Sequence, residues 1–285
     1  MQEAPVVVGS HQLPGTLAVP TDARALVLFA HGSGSSRHSP RNLHVAGVLQ
    51  EQALATLLFD LLNEQEGRDR HSVFDIPLLA RRLADAMDWA GRQQAVARMP
   101  LCLFGASTGA AAALVASALR PGRVHAIVSR GGRPDLAATA LPAVTAPTLM
   151  IVGGADLDVL DLNEQAIARM RAPVRLKIIP GATHLFEEPG TLDRVALLAA
   201  QWFRDHVPAR VRLPMVASAL EAKPGMPGPT VGRAEPVDRR QRGERRRWPR
   251  PVTEVPARAA SGPQPALTQA LGPVQRRPAG FRAGR

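Results

Sequence analysis

The chain has 285 residues, of which 45% are hydrophobic, so it can build a sizeable core in one large domain or two small ones. Its single cysteine, Cys102, excludes an internal disulfide framework and predicts a reducing, cytoplasmic location. The formal net charge of +11 suggests nucleic acid, but residues 208–285 hold 16 Lys/Arg and 5 Asp/Glu, whereas residues 1–207 hold 19 of each and are neutral.

Eight short apolar runs divide the first 207 residues and predict β-strands. These runs are residues 6–8, 16–19, 25–30, 54–59, 101–104, 124–128, 148–152 and 174–179. Segments of helical spacing or high helix propensity alternate with them, at residues 42–52, 76–90, 110–119, 162–170 and 192–206. The polar stretch 63–72 is predicted to be a loop. This alternation predicts an α/β fold, with a mostly parallel sheet of about eight strands and helices on both faces.

The fifth predicted strand runs without a spacer into Gly105-Ala106-Ser107-Thr108-Gly109, and an alanine-rich helix follows. Strand, G-x-S-x-G and helix in this order are typical of a nucleophile elbow, a tight turn that lifts one serine above the end of a sheet. The helix N-terminus beside that serine would favour a developing oxyanion. Because the motif is short, a second interpretation is a serine that only caps the helix.

Ser107, Asp156 and His184 each follow a predicted strand, and ligands of parallel sheets bind beyond the carboxyl ends of the strands. Nucleophilic acyl transfer needs a hydroxyl, a base that takes its proton and a carboxylate that orients the base. The chain order Ser, Asp, His is that of the α/β hydrolases. We therefore predict a catalytic triad of these three residues, with Asp158 or Asp161 as the alternative acid.

The third strand leads into His31-Gly-Ser-Gly-Ser-Ser36, here named the Gly/Ser loop, which can present backbone N–H groups to an anion. We predict an oxyanion hole made of the backbone N–H groups of Ser33 and Thr108. His31 is expected to hold the shape of the loop. The sequence has no Cys/His cluster, HExxH pattern or dinucleotide fingerprint, so neither a metal nor another cofactor is predicted.

Several arginines fall near the same predicted edge of the sheet. Arg130 and Arg133 follow the sixth strand, and Arg37 follows the Gly/Ser loop. Guanidinium groups bind carboxylates in a bidentate fork, so the three predict a substrate with a carboxylate or phosphate near the scissile bond. The alternative is that they are solvated surface residues. The interval between the sixth and seventh strands is too short for a cap domain, which predicts a shallow, open pocket.

These features resemble the dienelactone-hydrolase-like family of small α/β hydrolases, some members of which are fused to phosphoribosyltransferase domains. The resemblance covers residues 13–206 and is carried by five segments. They are Leu28-Phe-Ala-His-Gly-Ser-Gly-Ser-Ser36, Phe104-Gly-Ala-Ser-Thr-Gly109, Ser129-Arg-Gly-Gly-Arg-Pro-Asp135, Ile151-Val-Gly-Gly-Ala-Asp156 and Pro180-Gly-Ala-Thr-His-Leu-Phe-Glu-Glu188. The resemblance implies an α/β-hydrolase fold and nucleophilic catalysis. Dienelactone hydrolases proper carry cysteine where this chain has Ser107, so the dienelactone substrate does not follow from it.

The main interpretation is a serine hydrolase that cleaves a small carboxylic ester, lactone or thioester through an acyl-enzyme on Ser107. A peptidase or a cofactor-free perhydrolase could use the same three residues, and a non-catalytic binding protein could keep the same fold. No uncharged apolar run reaches transmembrane length, so we expect no membrane partner. The N-terminus has no basic region followed by a long apolar segment, so no signal peptide is expected.

Residues 208–285 have a different composition from the rest of the chain. They hold 13 of the 26 prolines and show no sustained hydrophobic period, so we predict a hydrolase domain at residues 1–207 and a disordered tail at residues 208–285. A frame-shifted reading of GC-rich DNA would have a similar composition. Arginine runs bind phosphates, but few aromatic residues accompany them here, so nucleic acid is not the expected partner.

Overall fold

The computed structural model describes residues 1–208, which contain one eight-stranded sheet. The strands are β1 (Gln2–Val8), β2 (Leu13–Val19), β3 (Leu26–Ala30), β4 (Ala55–Phe59), β5 (Leu101–Ala106), β6 (Val124–Arg130), β7 (Thr148–Gly153) and β8 (Val174–Ile179). Their order across the sheet is β1-β2-β4-β3-β5-β6-β7-β8. Strand β2 is antiparallel to both of its neighbours, and the remaining pairs are parallel. The predicted mostly parallel α/β-hydrolase sheet is therefore confirmed.

Seven α-helices alternate with these strands in the described part of the chain. They are α1 (Pro40–Glu51), α2 (Glu64–Arg68), α3 (Arg70–Phe74), α4 (Ile76–Ala90), α5 (Thr108–Leu119), α6 (Leu157–Ile167) and α7 (Thr191–His206). The prediction of a loop at residues 63–72 is wrong, because α2 and α3 form there. Side-chain caps begin both helices: Asn63 accepts from the N–H of Glu66, and Asp69 accepts from the N–H groups of His71 and Ser72.

Alternate residues of the central strands pack against different helix layers, as expected for a sheet buried on both faces. On one face, Leu28 of β3 and Leu103 of β5 belong to a core cluster that includes α4 and α5. On the other face, Phe29 and Phe104 belong to a cluster that includes α1 and α7, and their ring centroids are 4.9 Å apart. The two layers leave the carboxyl ends of the strands as the edge where loops meet.

The segment between β6 and β7 contains two short 3₁₀ turns, Pro134–Ala137 and Leu141–Ala143, and forms no cap domain. Within residues 1–208, no helix combines the length and apolar character needed to cross a membrane. The predicted disordered tail lies outside the described residues apart from Pro208, and the domain boundary at residue 207 stays a prediction.

Candidate active site

Ser107 occupies a tight turn between β5 and α5. Its φ of 52° and ψ of −121° lie in a region that L-residues rarely adopt, at a cost of about 1–3 kcal/mol. The turn depends on two flanking glycines. A Cβ on Gly105 would lie 2.4 Å from the Cα of Ala110, and a Cβ on Gly109 would lie 2.1 Å from the carbonyl oxygen of Ala30. The G-x-S-x-G spacing therefore lets α5 pass close to both β5 and β3 behind the serine.

The structure brings Ser107, Asp156 and His184 together at the carboxyl edge of the sheet. Nδ1 of His184 lies 2.7 Å from Oδ2 of Asp156, and Nε2 lies 3.4 Å from Oγ of Ser107. A carboxylate accepts only, so Nδ1 carries the proton and Nε2 presents a lone pair to the serine hydroxyl. This is the arrangement in which an imidazole can remove the hydroxyl proton, held in orientation by the carboxylate.

The acidic member of the triad is Asp156, which lies between β7 and the first residue of α6. The two alternatives from the sequence, Asp158 and Asp161, lie on α6 with exposed side chains. Within residues 1–208, the carboxylate that accepts from His184 is thus the one nearest the end of the strand.

The two predicted oxyanion donors are neighbours, but only one of them is available. The backbone N–H of Thr108 begins α5 and has no acceptor among residues 1–208, as expected in the first turn of a helix. The backbone N–H of Ser33 donates to Oγ1 of Thr108 at 2.8 Å. The Gly/Ser loop also approaches the nucleophile at Gly32, where an added Cβ would lie 3.1 Å from the Cβ of Ser107.

His31 anchors the start of the Gly/Ser loop. Its Nδ1–H donates to the carbonyl of Gly32 at 3.0 Å, and its Nε2 accepts from the N–H of Leu61 at 3.1 Å. Burial lowers the pKa of His31, although the Gly32 bond and Asp60 act in the opposite direction. A neutral imidazole thus ties the loop after β3 to the loop after β4, which is the structural role predicted for His31.

Two of the three predicted substrate-binding arginines have partners within the chain. Arg37 forms an ion pair with Asp60, and its backbone N–H donates to the same carboxylate at 2.7 Å. Arg133 binds Asp135 in a bidentate fork with distances of 2.9 and 2.8 Å. Sequence reasoning missed both pairs, although the i,i+2 spacing of Arg133 and Asp135 offered a signal for one of them.

Arg130 has a different environment from the other two arginines. It is the last residue of β6, not part of the following loop, and is only 7% exposed. Its Nε and Nη1 have no hydrogen-bond partner among residues 1–208. Burial, and to a lesser degree the neighbouring Arg41, lowers its pKa to about 10. Arg41 in turn donates to Glu187 in the loop that carries His184, at 3.2 Å.

The backbone of Arg130 is part of the nucleophile turn. Its carbonyl accepts from the N–H of Ser107 at 3.2 Å. The next residue, Gly131, has a φ of 50°, and a Cβ there would lie 3.0 Å from the carbonyl oxygen of His184. The backbone at Arg130 thus lies beside both Ser107 and His184, and its buried guanidinium has no described counter-ion among residues 1–208.

A cleft of about 840 Å³ lies against the Gly/Ser loop. Its walls are the Gly/Ser loop, the Arg37–Asp60 pair and parts of the α2–α3 segment. The cleft is not lined by Ser107, Asp156 or His184, and the predicted shallow, open substrate pocket stays a prediction. Within residues 1–208, no group of three or more His, Cys, Asp or Glu side chains is placed to hold a metal ion.

Comparisons with known proteins place this fold among α/β hydrolases. No family model matches the chain. The crystal structure of a dienelactone hydrolase from Anabaena variabilis is 55% identical, with a TM-score of 0.70 over 73% of this chain and 99% of that one. Est1E from Butyrivibrio proteoclasticus is 15% identical, with a TM-score of 0.60 over 72% of this chain and 99% of that one. The second likeness shows a shared fold.

The chain is also similar to part of a longer protein. A Mycobacterium tuberculosis protein, named as a candidate phosphoribosyl transferase, is 56% identical over 206 residues. These residues are 72% of this chain and 46% of that protein, so the chain spans about half the length of the curated relatives it matches.

Proposed function

The chain belongs to the dienelactone hydrolase family of α/β hydrolases, and on that premise we propose that it hydrolyses a small carboxylic ester, lactone or thioester. The observation that carries this proposal is the hydrogen-bonded series from Asp156 through His184 to Ser107. The strained backbone of Ser107 supports it, because a serine that only caps a helix has no need of that conformation.

In the proposed reaction, Oγ of Ser107 bonds to the carbonyl carbon while its proton moves to Nε2 of His184. The electron pair of the carbonyl bond moves to its oxygen, beside the free N–H of Thr108. Collapse of this intermediate breaks the bond to the leaving group, which takes the proton from His184. A water molecule then attacks the acyl-enzyme by the same steps, and His184 returns the proton to Ser107.

The nucleophile in this proposal is an oxygen, not a sulfur. Cys102 is fully buried within β5, and burial raises its pKa to about 12, so its thiolate is not formed at neutral pH. A serine hydroxyl needs a base more than a thiol does, and His184 is placed to supply it. The name of the Anabaena relative supports a lactone as one form of the substrate.

We extend the proposal to substrate charge through Arg130. A buried cation without a counter-ion is costly, and a bound anion would supply the missing partner. The backbone of Arg130 lies beside Ser107 and His184, and we propose on this ground that the anion is a carboxylate or phosphate of the substrate near the scissile ester. Arg37 and Arg133 already have carboxylate partners, so we propose this role for Arg130 alone.

The test of the reaction is labelling by a fluorophosphonate probe, followed by assays on aryl esters, thioesters and lactones. Wild type should react, and Ser107→Ala should lose both labelling and turnover while keeping its melting temperature, since only a hydroxyl is removed. Undiminished turnover in Ser107→Ala would mean that the reaction does not use this serine.

The test of substrate charge compares an anionic ester with its neutral isostere. Wild type should prefer the anion, and Arg130→Gln should lower the ratio of the two kcat/KM values about ten- to a hundredfold. Arg133→Gln is the matched control, because Asp135 holds that guanidinium, and it should leave the ratio unchanged. A wild type without preference, or an Arg130→Gln variant that keeps it, would refute the role of Arg130.

The location and the partners of the chain stay predictions. A cytoplasmic location rests on the single cysteine and the absence of disulfides that follows from it. A small-molecule substrate rests on the proposed reaction.

A further inference from the structure

The side chain of Thr108 lies between the nucleophile and the Gly/Ser loop. Thr108 follows Ser107 directly and is 4% exposed. Its Oγ1 accepts the backbone N–H of Ser33 at 2.8 Å. The proton of the Thr108 hydroxyl has no acceptor among residues 1–208. The structure therefore contains a buried hydroxyl, next to the nucleophile, that accepts one hydrogen bond and still has its own proton to donate.

This contact changes what Ser33 can do in the reaction. A backbone N–H has one hydrogen, and the hydrogen of Ser33 is directed at Oγ1 of Thr108. It cannot serve an oxyanion directly while that bond persists. A hydroxyl that accepts a hydrogen bond becomes a better donor, because the bond polarises its own O–H. The N–H of Ser33 can thus act indirectly, because it polarises the hydroxyl of Thr108 and makes that hydroxyl a stronger donor.

We propose that the hydroxyl of Thr108 is an oxyanion donor, activated by the N–H of Ser33. Thr108 then contributes two donors, its backbone N–H and its Oγ1–H, and Ser33 acts through the second. Both donors belong to one residue whose backbone is fixed at the start of α5, so no reorganisation is needed when charge develops. This inference rests on the proposed esterase reaction, and it replaces direct donation by Ser33.

Apart from the bond that it accepts from Ser33, the hydroxyl of Thr108 has no partner among residues 1–208. The next residues of α5, from Gly109 to Leu114, are all buried, and Ala110 to Ala113 present only methyl groups. A hydroxyl in such a place is unfavourable unless it is hydrogen-bonded, and valine has nearly the same shape. The N-cap position of α5 is Ser107, and Thr108 is the first residue of the helix itself, so Thr108 is not the N-cap.

The experiment compares Thr108→Val with Thr108→Ser in the full chain. Valine keeps the shape but cannot donate, whereas serine restores the hydroxyl. We expect Thr108→Val to lower kcat about 10²- to 10³-fold with little change in KM, the usual effect of losing one oxyanion donor. Thr108→Ser should recover most of that loss. Thr148→Val is the matched control, because it removes another buried hydroxyl, bonded to the carbonyl of Ala146 at 3.0 Å, and should leave kcat unchanged.

A second readout separates an oxyanion donor from a packing effect. An aryl boronic acid forms a tetrahedral adduct on a reactive serine and mimics the charged intermediate. Its affinity for Thr108→Val should fall in proportion to kcat/KM. An unchanged boronate affinity, or a serine variant as impaired as the valine variant, would refute the proposal.

A third outcome would identify direct donation by Ser33. If Oγ1 of Thr108 only competes with the oxyanion, Thr108→Val frees the Ser33 N–H, and kcat should stay equal or rise. That result would overturn the inference and leave the esterase reaction intact. If the fluorophosphonate fails to label wild type, the esterase reaction itself fails, and this inference fails with it.

Discussion

The carboxylate of Asp156 accepts from Nδ1 of His184 at 2.7 Å, and this bond sets which nitrogen of the imidazole faces Ser107. We predict that Asp156→Asn lowers kcat about 10⁴-fold, because an amide no longer fixes the tautomer or stabilises the imidazolium. Asp158→Asn, two residues along the chain on an exposed face of α6, should keep wild-type turnover. Steady-state kinetics on one ester measures both variants, and equal losses in the two would show that the acid is misassigned.

The elbow also depends on Gly109, which passes against the end of β3. A Cβ there would lie 2.1 Å from the carbonyl oxygen of Ala30 and 2.5 Å from that of His31, and both are backbone atoms with little room to shift. We predict that Gly109→Ala lowers the free energy of unfolding by about 1–3 kcal/mol, and that activity falls because the Gly/Ser loop moves away from Ser107. Urea unfolding and esterase assays of the same preparation test this.

Gly47 provides the matched control for that substitution. It lies within α1, and a Cβ there would have no neighbour within 4 Å. Gly47→Ala should therefore raise stability by about 0.5–1 kcal/mol, through helix propensity alone, and leave turnover unchanged. A similar loss of stability in both variants would contradict the close approach of α5 to β3.

The sheet could be predicted because its strands are short apolar runs bounded by turn residues. The amphipathic spacing of Leu79, Leu83 and Met87 likewise gave the bounds of α4 as the structure has them. Helices α2 and α3 were missed because they have no apolar period. Their start signals are in the sequence, as Asn63 followed three residues later by Glu66 and as Asp69, but no apolar run follows either signal.

Part of the candidate site could be predicted for a topological reason. Parallel strands end at one edge, so residues that follow β5, β7 and β8 had to converge, and Ser107, Asp156 and His184 do. The contacts between the loops at that edge could not be predicted from the order of the strands. The pairing of Arg37 with Asp60 and the bond from Ser33 to Thr108 join loops whose relative position no periodicity specifies.

Cys102 offers a test of burial in β5. The thiol is inaccessible, and burial raises its pKa to about 12, so we predict that the native chain does not react with a disulfide reagent such as Ellman's reagent at neutral pH. In guanidinium chloride the unfolded chain should react and release one equivalent of the reagent's coloured thiolate, since it has one cysteine. Iodoacetamide should also leave esterase activity unchanged. Rapid modification with loss of activity would place a reactive thiol in the site.

His31 predicts how stability depends on pH. Its pKa in the folded chain is lowered, chiefly by burial, whereas in the unfolded chain it should be about 6.5. Above that value neither state holds the proton, and below it the unfolded chain binds a proton that the folded chain excludes. Stability should therefore fall as the pH drops below about 6.5, by up to about 1.4 kcal/mol per pH unit from this residue. The measurement is the free energy of unfolding in urea between about pH 7.5 and pH 5.5. Its decrease with falling pH should be smaller for His31→Gln than for wild type, and His11→Gln, at an exposed histidine, is the control. Equal slopes in all three would mean that His31 takes up its proton in the folded chain as well.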